Sequence, residues 1–316
     1  SNGMKEGVLV NPNEVLTSVK SVIKKCEDVI GLKIRQVIVG ISSKNANFSV
    51  VNGSVNINSE GNLITGVDVI RVLSSAIKGR IDDDREFITL MPTSFTLDDN
   101  RVVRDPKGLT STKLDVRGVL ITVLKKNVYP ILACLERLNI DVLDISLDTI
   151  GDYYEFKSKE TAKSVGVLVN LGAETTTISI FNKGVLTNTE VVLLGGKNID
   201  NDIAFVYKIS LSDAKKLKEN FALAHSRLAQ ASDVRFIKNS ASEEIKINQY
   251  EISEVVKSRL DEMLKLTKKQ INHLTKKEIS YIIFTGGLTE IRDFRLVLEE
   301  IYGQSFTLGR ISEIGV

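Results

Sequence analysis

Apolar positions along the chain switch between a helical and an alternating period. In NPNEVLTSVKSVIKKCEDVI, Val15, Val19, Val22, Cys26, Val29 and Ile30 recur at helical spacing and predict a helix with one face on a sheet. RQVIVGIS follows as a strand. From about 44 to 117 the pattern becomes short alternating segments, FSVV, SVNI, REFITLMPTSFTL and LDVRGVLITVL, around one helical segment near 68–78. Such a stretch predicts a small α+β module inserted into a larger α/β unit. Helix and strand alternate again through NVYPILACLERL and DVLDISLDT. A second insertion, about 201–272, holds the amphipathic LSDAKKLKENFALA, the strand-like pair DVRFIK and EIKINQY, and a long helix EISEVVKSRLDEMLKLTKKQI. In that helix Ile252, Val256, Leu260, Met263, Leu264 and Ile271 form the apolar stripe. No heptad, low-complexity or solenoid pattern is present.

Between the insertions lies VGVLVNLGAETTTISIF, residues 165–181: an apolar strand, a small turn and an alternating second strand. A turn containing Gly172 and Ala173 lets backbone N–H groups approach an anion, and the hydroxyls of Thr175 and Thr176 add donors. An ordinary hairpin in an α/β core is the plain alternative. Two further features join it: Gly195-Gly196 follow VVLL and open NIDNDIAFVY, and Gly286-Gly287 follow YIIFT and open LTEIRDFRLVLEE. Each reads as strand, glycine pair, helix, with Leu288 beside the second pair, and a helix N-terminus there favours negative charge. The hairpin and the two glycine turns, in this order, resemble the second lobe of the actin, sugar-kinase and DnaK-type ATPase superfamily.

Composition narrows the function. The 316 residues suffice for two cores, and 42 basic against 40 acidic residues give a formal charge of only +2. Nucleic acid is not an expected partner, because the lysine pairs lie in helical patterns that also carry acids. Cys26 and Cys134 occupy apolar helical positions without metal-ligand spacing, which predicts buried thiols. His225 and His273 suggest neither a metal site nor a triad. No run approaches the roughly 20 apolar residues of a membrane span, and no signal peptide opens the chain.

Within the superfamily the chain resembles the FtsA family of actin-like cell-division proteins over nearly its whole length. SNGMKEGVLVNPNEV, EGNLITGVDVIRVL, RVVRDPKGLTSTKLDVRGVLITV, YPILACLERLNIDVLDISLDTI, LLGGKNIDNDIA, ISLSDAKKLKENFALA and EVVKSRLDEMLKL carry the resemblance, with Asp200 where the family has threonine. It implies a two-lobed actin-like, ribonuclease H-like α/β ATPase fold with a small α+β subdomain in the first lobe. The expected divisions are 1–43 and 118–163 for the first lobe, 44–117 for the inserted subdomain, 164–200 and 273–316 for the second-lobe core, and 201–272 for a fourth subdomain. The family begins with a phosphate hairpin before the point matching Ser1. It continues past ISEIGV to a linker and an amphipathic membrane helix. The chain is therefore expected to be a truncated product or the middle of a longer protein.

The resemblance implies ATP and Mg2+ as ligands and a cytoplasmic place at the inner membrane face of the division septum. Expected partners are the C-terminal tail of FtsZ, further copies in a head-to-tail protofilament, later division proteins through 44–117, and the membrane through a C-terminal helix outside this chain. It places Gly172, Ala173, Thr175, Thr176, Gly195, Gly196, Gly286, Gly287 and Leu288 around the nucleotide, and Lys218 near ribose and base. Lys215 stands where the family has glutamate, and solvation of both lysines is the alternative. Superfamily ATPases open the phosphate hairpin with an aspartate that holds magnesium through water. Here Asn170 stands in its place, and an amide lacks the charge to hold a hard cation. Hydrolysis is thus expected to be slow at most. Asp148 reads either as a metal or water-positioning acid or as a surface acid capping the following helix. Arg259 matches the arginine that docks the FtsZ tail, and an i,i+3 pair with Glu262 is the plain alternative. Two other functions fit the architecture: a PilM-like pilus-assembly adaptor and a small-molecule kinase.

Overall fold

The computed structural model describes residues 3–309. The chain opens with a small hairpin, β1 (Met4–Lys5) and β2 (Val8–Leu9), then α1 (Pro12–Ile30) and β3 (Gln36–Ile41). Asn11 caps α1 through its side chain, Pro12 fits the first turn, and Gly31 in the left-handed region ends it. The predicted apolar face of α1 is corrected. Val15 is buried and Val19 and Ile23 pack on the core, whereas Val22 and Val29 are exposed and Cys26 is only half-buried. The covered stripe runs i, i+4, i+8, so the i+7 and i+14 positions turn to solvent.

The inserted subdomain contains β4 (Asn47–Asn56), α2 (Gly66–Ile77), β5 (Arg85–Leu97), β6 (Val102–Val103) and β7 (Lys113–Leu124). Its strands form an antiparallel sheet in the order β4-β7-β5-β6. FSVV and SVNI, read as separate segments, are one ten-residue strand, with Gly53 lying flat under α2. Val51, Val72, Ala76, Phe95, Leu97 and Leu114 give this unit its own core.

Chain α3 (Lys125–Glu136), β8 (Asp141–Leu147) and α4 (Asp148–Glu155) complete the first lobe, with β3 and β8 paired in parallel. The second lobe is built on β9 (Val165–Leu171), β10 (Thr176–Asn182), β11 (Val185–Val192), β14 (Tyr281–Thr285) and β15 (Thr307–Leu308), ordered β11-β10-β9-β14-β15. Between β11 and β14 come α5 (Gly196–Tyr207), α6 (Leu211–Asn220), the hairpin β12 (Val234–Lys238) and β13 (Glu244–Asn248), and α7 (Gln249–Leu274). All six residues of the predicted α7 stripe are buried.

One expectation fails at the second glycine pair. Gly287–Glu290 forms only a 3-10 turn, Ile291 is extended, Asp293 adopts a positive φ of 64°, and α8 (Phe294–Tyr302) begins after it. No α-helix therefore starts at Gly286-Gly287, and helix-dipole support for an anion is confined to Gly196. The terminal ISEIGV lies outside the described residues.

The lobes share apolar packing along α4. Tyr153 stacks on Phe181 of β10, with ring centroids 4.1 Å apart and planes 13° from parallel. Beside it Thr149 Oγ1 donates to Ser179 Oγ, buried at 2.5 Å, and Asn170 Nδ2 donates to Asp152 Oδ2 at 2.8 Å. Residues 149, 152 and 153 lie on one helical face, which fixes α4 against the end of the second-lobe sheet.

Candidate nucleotide-binding site

The turn between β9 and β10 is tight because Gly172 N–H donates to Thr175 O at 2.9 Å. Two loops pack backbone-to-backbone around it. Gly195 lies against Ala173 and Glu174 so closely that a Cβ would fall 2.6 Å from Ala173 C, and Gly196 and Lys197 N–H donate to Gly172 and Ala173 carbonyls at 3.0 and 2.7 Å. Gly286, at φ +96°, presses on Leu171 O and Asn170 Oδ1, where a Cβ would lie 2.5–2.6 Å away. Gly195 and Gly286 are thus required by the approach of protein to protein. Gly196 and Gly287 instead line the cavity.

That cavity, about 330 Å³, lies among Gly172, Ala173, Gly196, Lys218, Gly287 and Leu288. Thr176 is not a free donor to it, because its hydroxyl donates to Leu194 O at 2.9 Å and the residue is buried. Lys218 is also buried, which removes the solvated alternative for it. Its Nζ lies 2.7 Å from Asp200 Oδ1 and donates to Gly196 O at 3.1 Å. The Asp200 carboxylate is thus held by a buried charge pair at the edge of the cavity. Lys215 is exposed and stands 3.8 Å from Glu219 at the cavity rim.

Across the cleft, Asp148 begins α4. Its Oδ1 accepts from Thr149 N at 2.7 Å and Ser43 Oγ at 3.3 Å, but it is the first residue of α4 and makes no capping bond, so the capping reading is corrected. The residue keeps solvent contact, yet protein crowds one side of its carboxyl. Desolvation pushes its pKa up to about 6, with like charge from Asp152 adding to the rise and the two hydrogen bonds opposing it. Asp152 is raised by desolvation too, against the Asn170 bond. Sequence reading missed Asp152. Its link to Asn170 spans 18 residues and two lobes, and no local motif marks it.

Glu174, also unrecognised, sits at the tip of the phosphate-type turn. It pairs with Lys197, and its Oε2 accepts the backbone N–H of Glu6 at 2.5 Å, while Glu6 pairs with Lys44 at 2.7 Å. Burial raises its pKa, but Lys197 and the Glu6 amide outweigh that and leave it lowered.

Arg259 belongs to a separate surface. Its Nε and Nη2 grip Asp202 at 2.6 and 2.9 Å, and Nη1 reaches Glu262 at 2.6 Å. The expected i,i+3 pair is present, joined by a bidentate pair to α5. The groove beside it holds Val206, Val255 and Phe205, which is 85% exposed.

The residues fit a nucleotide with magnesium: the glycine-lined cavity suits the nucleotide, and the carboxyls of Asp148 and Asp152 on α4, the latter bonded to Asn170 of β9, suit a hydrated cation. Among the described residues no group of three His, Cys, Asp or Glu side chains could hold a bare ion.

Comparison with known proteins bears on the family and the fold. A family model described as cell division protein FtsA matches residues 167–314, and the SHS2 domain inserted in FtsA matches 44–122. Cell division protein FtsA of Bacillus subtilis is 30% identical over 83% of this chain and 60% of its own length. The Streptococcus pneumoniae protein of that name is 26% identical over 82% and 57%. The chain thus spans about three fifths of these relatives. Among solved structures, the PilM-PilN type IV pilus biogenesis complex superposes with a TM-score of 0.64 at 13% identity, covering 98% of this chain and 79% of that one. MreB5 of Spiroplasma citri bound to ADP gives 0.60 at 12%, covering 99% and 74%. The fold is the two-lobed actin-like ATPase fold with an inserted subdomain, and with both FtsA-specific models placed on it the chain belongs to the FtsA family of cell division proteins.

Proposed function

We propose that this cell-division protein binds ATP with Mg2+ between its lobes and works as an adaptor, linking the FtsZ C-terminal tail to the membrane and to later division proteins at the septum. The carrying observation is the glycine-lined cavity of the second lobe, whose lining includes the buried Lys218–Asp200 pair. A fold neighbour bound to ADP supports the reading. Gly172, Ala173, Gly196, Gly287 and Leu288 contact the nucleotide, with Thr175 and the backbone of Thr176 shaping the turn and Gly195 and Gly286 holding it. Lys218 positions ribose and base. Magnesium, when bound, neutralises phosphate charge, while the residues of this chain orient its water shell. Hydrolysis is slow, since Asn170 brings no charge to the strand end.

The partner face is Arg259 with its groove. Both acids on Arg259 come from this chain, so an acidic peptide displaces Asp202 or Glu262 while its apolar residues cover Phe205 and Val206. The subdomain around 44–117 contributes polymer and later-partner contacts, and a membrane helix beyond this segment anchors the whole. ATP titration by calorimetry tests the first part. Anisotropy of a labelled FtsZ tail peptide tests the second: saturable micromolar binding abolished by Arg259→Glu is expected, and equal binding by both proteins overturns the assignment.

A further inference from the structure

Three lysines line the cavity: Lys197, Lys215 and Lys218. Lys218 is already engaged, because its Nζ is buried between Asp200 and Gly196 O and its departure would strand the Asp200 charge. Lys215 stands on α6 at the rim, one turn from Glu219. Lys197 is the one rooted at the phosphate-type turn. Its backbone N–H donates to Ala173 O at 2.7 Å, and its Nζ pairs with the carboxylate of Glu174, the next residue of that turn. This pair is open to water, with the lysine side chain 61% exposed and the glutamate 24%. An ion pair of that kind contributes about 0–1 kcal/mol, so exchanging it for a stronger anion costs little.

Glu174 has a second hold that such an exchange leaves intact. The turn between β1 and β2 is Glu6-Gly7, with φ of 51° and 77°, the mirror-type geometry of a two-residue hairpin. There the Glu6 N–H points out of the ladder. Glu174 Oε2 accepts it at 2.5 Å, and the Glu6 carboxylate pairs with Lys44 at 2.7 Å. Gly7 lies against Ser42, where a Cβ would fall 2.6 Å from Oγ, so the hairpin tip is wedged between the end of β3 and the phosphate-type turn. A glutamate at positive φ is an uncommon backbone state, kept here by contacts on both sides. The hairpin tip therefore holds the Glu174 carboxylate beside Lys197 instead of leaving it to swing into solvent.

We infer, resting on the nucleotide reading above, that Lys197 is a phosphate-binding residue held in reserve by Glu174 and handed to the phosphates of a bound nucleoside triphosphate. A triphosphate carries several negative charges against one on Glu174. On that reading it also lies over the turn to which the Lys197 backbone is tied, so the ammonium gains by changing partners. Glu174 then remains with the Glu6 amide, and the phosphate charge drives it toward the first-lobe hairpin. Nucleotide occupancy thereby strengthens a contact between the lobes.

The test is calorimetric ATP affinity of the full-length protein in Mg2+ buffer for wild type, Lys197→Met, Lys197→Arg, Glu174→Gln, and Glu174→Gln combined with Lys197→Met. Lys197→Met is expected to lower the affinity roughly tenfold, the scale of one charge-assisted contact, and Lys197→Arg to keep most of it. The deciding comparison is made without Glu174. In the glutamine background Lys197→Met should still cost roughly tenfold, because the lysine acts on the phosphates themselves. An unchanged affinity there would mean that Lys197 only neutralises Glu174, which overturns the inference and leaves ATP binding standing. Adenosine, followed by competition, has no phosphates and should bind all five proteins equally, and a parallel loss for adenosine likewise overturns the assignment. Equal urea midpoints for the two glutamine-background proteins exclude misfolding as the cause. No ATP binding by folded wild type removes the nucleotide reading and the inference together.

Discussion

The second lobe and helix α4 handle acid in opposite ways. On the second-lobe wall Asp200 and Lys218 are each more than nine-tenths buried and lie 2.7 Å apart, a closed ion pair on which the cavity is built. On the α4 wall Asp148 and Asp152 are crowded by protein without a countercharge, and both are pushed toward protonation. The first arrangement is structural, since removing either partner strands a charge in low dielectric. The second is costly in the free protein and becomes favourable only when something positive arrives. The contrast separates a carboxylate held by its own countercharge from two carboxyls that have none.

The largest effect is expected from breaking the closed pair. Lys218→Met leaves Asp200 buried and alone, and should destabilise the protein by about 3–5 kcal/mol in urea unfolding. Lys218→Met combined with Asp200→Leu should recover most of that loss, because two apolar side chains of similar volume replace a pair whose desolvation was expensive. A double variant as unstable as the single would show that the pair contributes through more than mutual charge.

Asp148→Asn should act in the other direction. Desolvation places its folded pKa near 6 against an ordinary 3.8, so the folded state binds the proton more tightly than the unfolded chain does. Its ionisation therefore removes stability as pH rises from about 4 to about 6. The asparagine should be more stable than wild type above pH 6 and show no such gain below pH 4. The carboxyl keeps solvent contact, which screens the effect, and a gain of about 1 kcal/mol is expected at pH 7 in metal-free buffer. Melting curves at pH 4 and pH 7 check it, and an equal shift at both would remove titration as the cause.

These two walls also differ in how far the sequence reveals them. Gly172, Gly196, Gly287 and Lys218 stand in short motifs whose spacing is local, and the strands before Gly172 and Gly287 are plainly apolar. The limits are equally physical. LTEIRDFRLVLEE has helical periodicity, yet Asp293 in the left-handed region delays the helix to Phe294. Thr176 looks like a phosphate donor until the fold brings Leu194 O to its hydroxyl. Val22 and Val29 share helical spacing with Val15, but tertiary packing selects another stripe. Asp152 has no signature because its meaning comes from Asn170 on a different lobe. Likewise Arg259 gives no hint in sequence of its bidentate hold on Asp202.

The smallest expected effect bears on Glu174, which stands between the two cases. It has a lysine partner like Asp200, but its side chain is 24% exposed and Lys197 is 61% exposed, so the pair belongs to the surface class. Its other contact, the Glu6 amide, comes from the first lobe. Glu174→Gln keeps a hydrogen-bond acceptor and loses the charge, so the cost should be about 0.5 kcal/mol and should shrink in high salt. Because the folded carboxyl is lowered, that contribution exists above its ordinary value of 4.5 and disappears as pH falls below it. The same substitution removes a negative charge from the tip of the phosphate-type turn, where a triphosphate would otherwise face it. ATP affinity should therefore rise a few-fold while stability falls slightly. Paired calorimetry and urea unfolding read the two together, and a fall in both would make Glu174 a member of the binding surface instead of a repulsive neighbour to it.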